Sequence, residues 1–142
     1  MSGLATLIEF AERRVGTALS AWQRLRAQCD EAKQKLLVLK QHGEGYSDLM
    51  HSGLQEGMSA TSMLAHMGFI KQIEAVVIRQ ETEVGSLEEG CGRLWQELVE
   101  ARREKRTYEI LSERAMMRKA DTASRRKQAE IDELLQRAIK TS

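Results

Sequence analysis

Hydrophobic and small residues fall on a seven-residue repeat from Leu4 to Met50. Position a reads Ile8, Val15, Trp22, Cys29, Leu36, Gly43, Met50, and position d reads Leu4, Ala11, Ala18, Leu25, Ala32, Leu39, Tyr46. No charged residue interrupts this seam. A strict heptad sustained over many turns marks a left-handed coiled coil, because an isolated helix of 3.6 residues per turn drifts off such a repeat. A second run follows. Its a positions are Met63, Ile70, Val77, Val84, Cys91 and Leu98, and its d positions are His66, Ile73, Gln80, Leu87, Leu94, Ala101 and Tyr108. Lys105 also lies on this seam, and past Ala115 the pattern fades before returning as Ile131, Leu134, Leu135 and Ala138.

Between the runs, Gly53, Gly57, Ser59, Thr61 and Ser62 form the only cluster of turn residues. Ser59, Thr61 and Ser62 are the candidate N-caps. These signals predict a single all-α domain over residues 1–142: helix one at about 4–52, a turn at about 53–62 and helix two at about 63–139. The expected architecture is a long two-helix antiparallel coiled-coil hairpin with a C-terminal helical overhang. In an antiparallel pair, e positions face e positions. Helix one carries Arg26, Lys33 and Lys40 there, and helix two carries Glu74, Glu81 and Glu88. These charges set orientation but not register, since a shift of one heptad still matches basic to acidic. The register favoured by side-chain size sets Trp22 against Ala101 and Leu36 against Leu87. Glycine weakens a helix by about 1 kcal/mol relative to alanine, so looser helix is expected at Gly43 and Gly45 and around Gly90 and Gly92.

Composition supports this picture. Charged residues make up 30%, aromatics 4%, and proline is absent, where average usage of about 5% predicts roughly seven. Proline breaks helices, so its absence favours long unbroken ones. The turn leaves the chain beyond about Met116 without a partner. That is an overhang of about 25 residues, or roughly 35 Å at about 1.5 Å per residue. With so short an apolar patch it is marginal as an isolated helix and is expected to fray until a partner orders it. No basic n-region or apolar h-region opens the chain, and no apolar run approaches the roughly 20 residues of a membrane span. The expectation is a cytoplasmic chain. Cys29 and Cys91 both sit on seams and read as buried small hydrophobes rather than a disulfide.

Catalytic signals are absent. His42, His51 and His66 lack a nucleophile or carboxylate at a diagnostic spacing, there is no Gly-rich phosphate loop or CxxC, and a two-helix hairpin offers no enclosed pocket. The expectation is a non-enzyme with no cofactor and no metal. Net charge is +1, which does not suit a nucleic-acid binder. Within Arg102–Lys127, however, ten Lys/Arg face four Asp/Glu. This stretch is a solvated face or a surface for an acidic protein partner. Stacking aromatics are missing apart from Tyr108, which weighs against nucleic acid.

A further irregularity lies near the turn. Position g of helix two should be polar, yet it holds Phe69 and Val76. On the same edge lie Ile73 and Gln80 and, from helix one, Leu39, His42 and Tyr46. An apolar, aromatic stripe of this kind marks a partner surface, or else Phe69 only staples the turn. Trp95 stands at e, where Arg26 is expected to cover it by a cation–π contact.

The chain resembles the FliJ family of the flagellar type III export apparatus over nearly its whole length. The likeness rests on Leu4-x-x-Leu7-x-x-x-Ala11, Leu36-x-x-Leu39 with Tyr46, and Gly57-Met58-Ser59. It continues with Phe69, Ile73 and Gln80, then Lys105, Tyr108 and Leu111-x-Glu113-Arg114, and ends with Gln128-x-x-x-Asp132-Glu133-x-x-Gln136-Arg137-Ala138. The resemblance implies an antiparallel coiled coil like the rotor stalk of F-type and V-type ATPases. It implies as partners the flagellar export ATPase, whose ring assembly it promotes, the export gate membrane protein and flagellar export chaperones. Location at the inner membrane of the flagellar base follows. The gate-binding stripe then matches Leu39, His42, Tyr46, Phe69, Ile73, Val76 and Gln80. His42 stands where some relatives have tyrosine, Gln80 where some have histidine, and Leu98 where many have tryptophan.

The unpaired, basic overhang suggests ATPase-ring contacts at Arg118, Lys119, Arg125, Arg126 and Lys127. A hairpin of this kind is expected to be a monomer in isolation and not to bind nucleic acid. The alternatives are an escort protein for export substrates or their chaperones, the equivalent stalk of a virulence secretion system, and a structural homodimer.

Overall fold

The computed structural model describes residues 3–141 and contains two helices, α1 at Gly3–Glu56 and α2 at Ala60–Thr141. The fold is all-α, an antiparallel two-helix coiled-coil hairpin with a C-terminal helical overhang. It divides into two compact units: Ala18–Leu98, which contains the turn, and Met1–Thr17 with Val99–Ser142.

In the turn-bearing unit every seam residue of both heptad runs is buried or half-buried, and Cys29, Ala32, Val84 and Leu98 are the most enclosed of them. Burying a Leu or Val side chain contributes about 1.5–3 kcal/mol, so this continuous stripe is what holds the pair together. The turn is tighter than the glycine and serine cluster suggests. α1 continues to Glu56, and the reversal is made by Gly57, Met58 and Ser59 alone. Gly57 adopts φ +91°, which favours a residue without a Cβ. Ser59 is the N-cap of α2, its Oγ accepting the Ser62 N–H at 3.2 Å.

This tight reversal fixes the register, and it is not the one that side-chain size favours. Trp22 pairs with Trp95, ring centroids 5.1 Å apart, rather than lying against Ala101. The pairing is one heptad away from the expected one, because three turn residues centre the hairpin on Met58. The same register sets Gly43 against Ile73 and Leu25 against Gly90, where a Cβ would come 3.2 and 2.9 Å from the opposing side chains. Two of these glycines therefore serve close approach, and α1 and α2 run unbroken through Gly43, Gly45, Gly90 and Gly92. The e-position charges pair as opposite signs require: Lys33 with Glu88 at 3.1 Å and Lys40 with Glu81 at 3.4 Å.

In the other unit Ala11 and Ala101 are buried, and Ile8, Val15 and Tyr108 are half-buried. Arg14 bridges to Glu104, and the same carboxylate group accepts the Tyr108 hydroxyl at 3.0 Å. Lys105 is half-buried at its seam position and its ammonium pairs with Glu109 at 3.8 Å. From Met116 to Thr141 every residue is exposed, while α2 continues.

Candidate docking surfaces

One flank of the turn-bearing unit gathers the g-position residues. Leu39, His42, Tyr46, Phe69, Gln72, Ile73 and Val76 line a groove of about 600 Å³. Tyr46 organises its floor. Its ring lies 4.6 Å from that of Phe69 and 5.5 Å from that of His66, and its hydroxyl is hydrogen-bonded to His66 Nδ1. Tilted aromatic contacts of this kind fix ring orientation beyond what burial alone does. Phe69 remains 46% exposed and Val76 36%. Phe69 thus both packs on Tyr46 and presents an open face, so stapling and exposure are not alternatives here. No carboxylate, lysine or arginine lines this groove.

Six of the seven stripe residues named from sequence share that groove: Leu39, His42, Tyr46, Phe69, Ile73 and Val76. Gln80 lies apart. Its Nε2 donates to the Ala32 carbonyl at 3.0 Å, and it borders a neighbouring hollow together with Leu39 and Val38. Its amide satisfies a seam position that would otherwise bury an unpaired polar group. Gln72, at a c position outside the seam pattern, was missed by heptad reasoning.

The second surface is the exposed end of α2. Arg125 is paired with Asp121 at 3.3 Å. Arg118, Lys119, Arg126 and Lys127 make no hydrogen bond or ion pair among the described residues. Met116 and Met117 are 70% and 71% exposed. Ile131, Leu134, Leu135 and Ile139 follow as a further exposed apolar strip at helical spacing.

Trp95 differs from expectation. Arg26 lies over the Trp22 ring, 5.4 Å from its centroid, one turn back on its own helix. The two tryptophans pack on each other, leaving Trp95 41% exposed. Cys29 and Cys91 are free thiols. Burial pushes the Cys91 thiol above its ordinary range, and the adjacent Cys29 adds to this.

Among the described residues no group of three or more His, Cys, Asp or Glu is arranged to hold a metal, and no helix is long and apolar enough to cross a membrane.

A paired-helix scaffold with an aromatic groove beside its turn and an exposed helical end defines a two-helix coiled-coil protein. The family model described as "Flagellar FliJ protein" matches residues 1–142, and the chain belongs to that family. It is 22% identical to the "Flagellar FliJ protein" of Escherichia coli (strain K12) over 135 residues, covering 95% of this chain and 92% of the relative. No solved structure matches. Family membership supports a non-catalytic component of the flagellar export apparatus.

Proposed function

We propose that this chain is the coiled-coil stalk of the export apparatus. Its C-terminal overhang engages the ring of the flagellar export ATPase and promotes ring assembly, and the Tyr46–Phe69 groove docks on the export gate protein. The observation that carries this reading is the exposed end of α2. Residues 116–141 have no partner helix in their own chain, yet they carry an apolar strip and, among the described residues, the cations Arg118, Lys119, Arg126 and Lys127 without ionic partners. Helical stability in proteins comes from packing an amphipathic face, so this segment is built to be completed by another surface. Arg118, Lys119, Arg126 and Lys127 would meet acidic or polar groups there, with Arg125 already held by Asp121.

The groove supports the second contact. Its exposed aromatic and aliphatic lining without formal charge suits a largely apolar interface, where buried aromatics contribute most of the binding energy. The same groove suits export chaperones, which compete for it in this reading. The chain works in the cytoplasm, peripherally held at the inner membrane of the flagellar base through the gate.

The test is the ATP hydrolysis rate and ring assembly of the cognate flagellar ATPase, with and without this chain. Stimulation together with hexamer formation is expected. No effect on either, with capture of export chaperones instead, would move the assignment to the escort class.

A further inference from the structure

The flank opposite the aromatic groove carries a second, chemically different one. It has a volume of about 500 Å³ and an apolar floor that includes Ile70, Val77 and Ile78. Ile78 is 62% exposed. Ile73 lines both grooves, so a single seam residue separates the two flanks. The groove is deepened at Gly43, whose missing side chain leaves only the approach of Ile73 Cγ2.

The rim is acidic. Glu44, Asp48 and Glu74 border the floor, and none of them forms an ion pair or hydrogen bond among the described residues. The one cation at the groove, Lys40, is already taken by Glu81 at 3.4 Å. Glu44 and Asp48 stand four apart on α1, where like charges repel.

The e-position ladder explains why these charges are left over. Its rungs are Lys33–Glu88 and Lys40–Glu81. The next step in this register, seven residues on in α1 and seven back in α2, sets Ser47 opposite Glu74. A serine occupies the position where a base would continue the ladder, so Glu74 faces an empty rung at the mouth of an apolar groove.

We propose that this face docks a cationic amphipathic helix of another protein, whose apolar side chains fill the Gly43–Ile78 groove and whose lysine or arginine supplies the rung that Ser47 leaves open opposite Glu74. Charge complementarity selects this occupant. An anionic membrane or a nucleic acid would be repelled by three unneutralised carboxylates, and a wholly apolar partner would leave them desolvated and unpaired. The contact is independent of the aromatic groove, so the turn-bearing unit can hold two partners of unlike chemistry, one on each flank.

The full-length chain is titrated with a fluorescein-labelled synthetic amphipathic helix, leucine on one face and lysine on both flanks, and binding is read by anisotropy. Ser47→Lys fills the rung from within and is expected to weaken binding by about tenfold or more while leaving the hairpin folded, and Glu74→Gln weakens it similarly. Both positions are exposed, so neither change disturbs the core, and circular dichroism verifies this. Phe69→Ser, on the other flank, leaves probe binding unchanged. Failure of the wild-type chain to bind the probe overturns the proposal. So does equal binding of a scrambled peptide of the same composition, or loss of binding in Phe69→Ser with none in Ser47→Lys.

Discussion

At the scale of single residues, the glycines separate by what lies in front of each. A Cβ at Gly53 would overlap the Met58 thioether, which folds back against the end of α1, and at Gly90 it would come 2.9 Å from Leu25 Cδ2. Nothing lies within 4 Å of a Cβ at Gly92. Gly92→Ala is therefore expected to stabilise the chain by about 0.5–1 kcal/mol, through better helix propensity and a less flexible unfolded chain. Gly90→Ala gains less, because the Leu25 terminus must move first. Urea unfolding at constant m-value checks this, and equal gains at the two positions would contradict the close approach. Sequence reasoning assigned both glycines the same loosening effect. It did so because a gap and an approach differ only in what the opposing helix presents, and that depends on register. The aromatic groove was more legible. Phe69 and Val76 stand at g, where a coiled coil wants polar residues, and that breach of pattern is local information. Gln72 adds no such breach, and Gln80 reads as part of the stripe until its bond to the Ala32 carbonyl turns it inward.

At the scale of the helices, the two seams were readable because a heptad with no charged interruption allows few other folds. Their register was not, because the basic and acidic e positions match equally well one heptad apart. What decides it is the turn. Gly57 at positive φ and the Ser59 cap close the reversal in three residues, and the Lys33–Glu88 and Lys40–Glu81 rungs follow. Three groups on the helices are shifted in the same direction. Lys33 is raised above its ordinary value by its hydrogen bond and charge contact with Glu88, Tyr108 by its hydrogen bond to Glu104, and Cys91 by burial. A group whose folded value is raised stabilises fully below its unfolded value and loses that contribution as pH rises through the folded one. Stability should therefore be level near neutrality and fall from about pH 9 upward, the thiol range first and the tyrosine and lysine range after. Thermal melts from pH 7 to 11 check this. In Cys91→Ser the earliest part of the fall disappears, and an unchanged profile in that variant would assign the loss to the other groups. The free end of α2 makes a different prediction. Without packing, residues 116–141 of the isolated chain should exchange their amide hydrogens quickly, while the amides around Leu98 are protected. Slow exchange over 116–141 would mean the overhang is ordered without a partner.

At the scale of the whole molecule, the proposed ring contact and the proposed gate contact rest on different residues, so they should be separable by variants that leave the coiled coil folded. A chain ending at Ala115 keeps both heptad runs through Tyr108 and loses the unpaired cations Arg118, Lys119, Arg126 and Lys127 and the apolar strip that follows them. It should still melt as a helical hairpin and still bind the gate protein, but it should no longer stimulate the ATPase. Phe69→Ala removes a ring that is 46% exposed. It therefore costs less stability than the roughly 3–5 kcal/mol typical of a buried phenylalanine, while taking away a central aromatic of the groove. That variant should lose gate binding by about tenfold or more and keep full ATPase stimulation. The pair of outcomes is informative only when crossed. If the truncated chain keeps its effect on the ATPase, the overhang is not the ring-binding element, and the contact must be sought on the coiled coil itself. If Phe69→Ala loses both activities, the two partners share the groove and compete, as an escort protein would require. Loss of one activity in each variant is what a bridging stalk demands, because a bridge needs both ends occupied at once while a competitor needs only one.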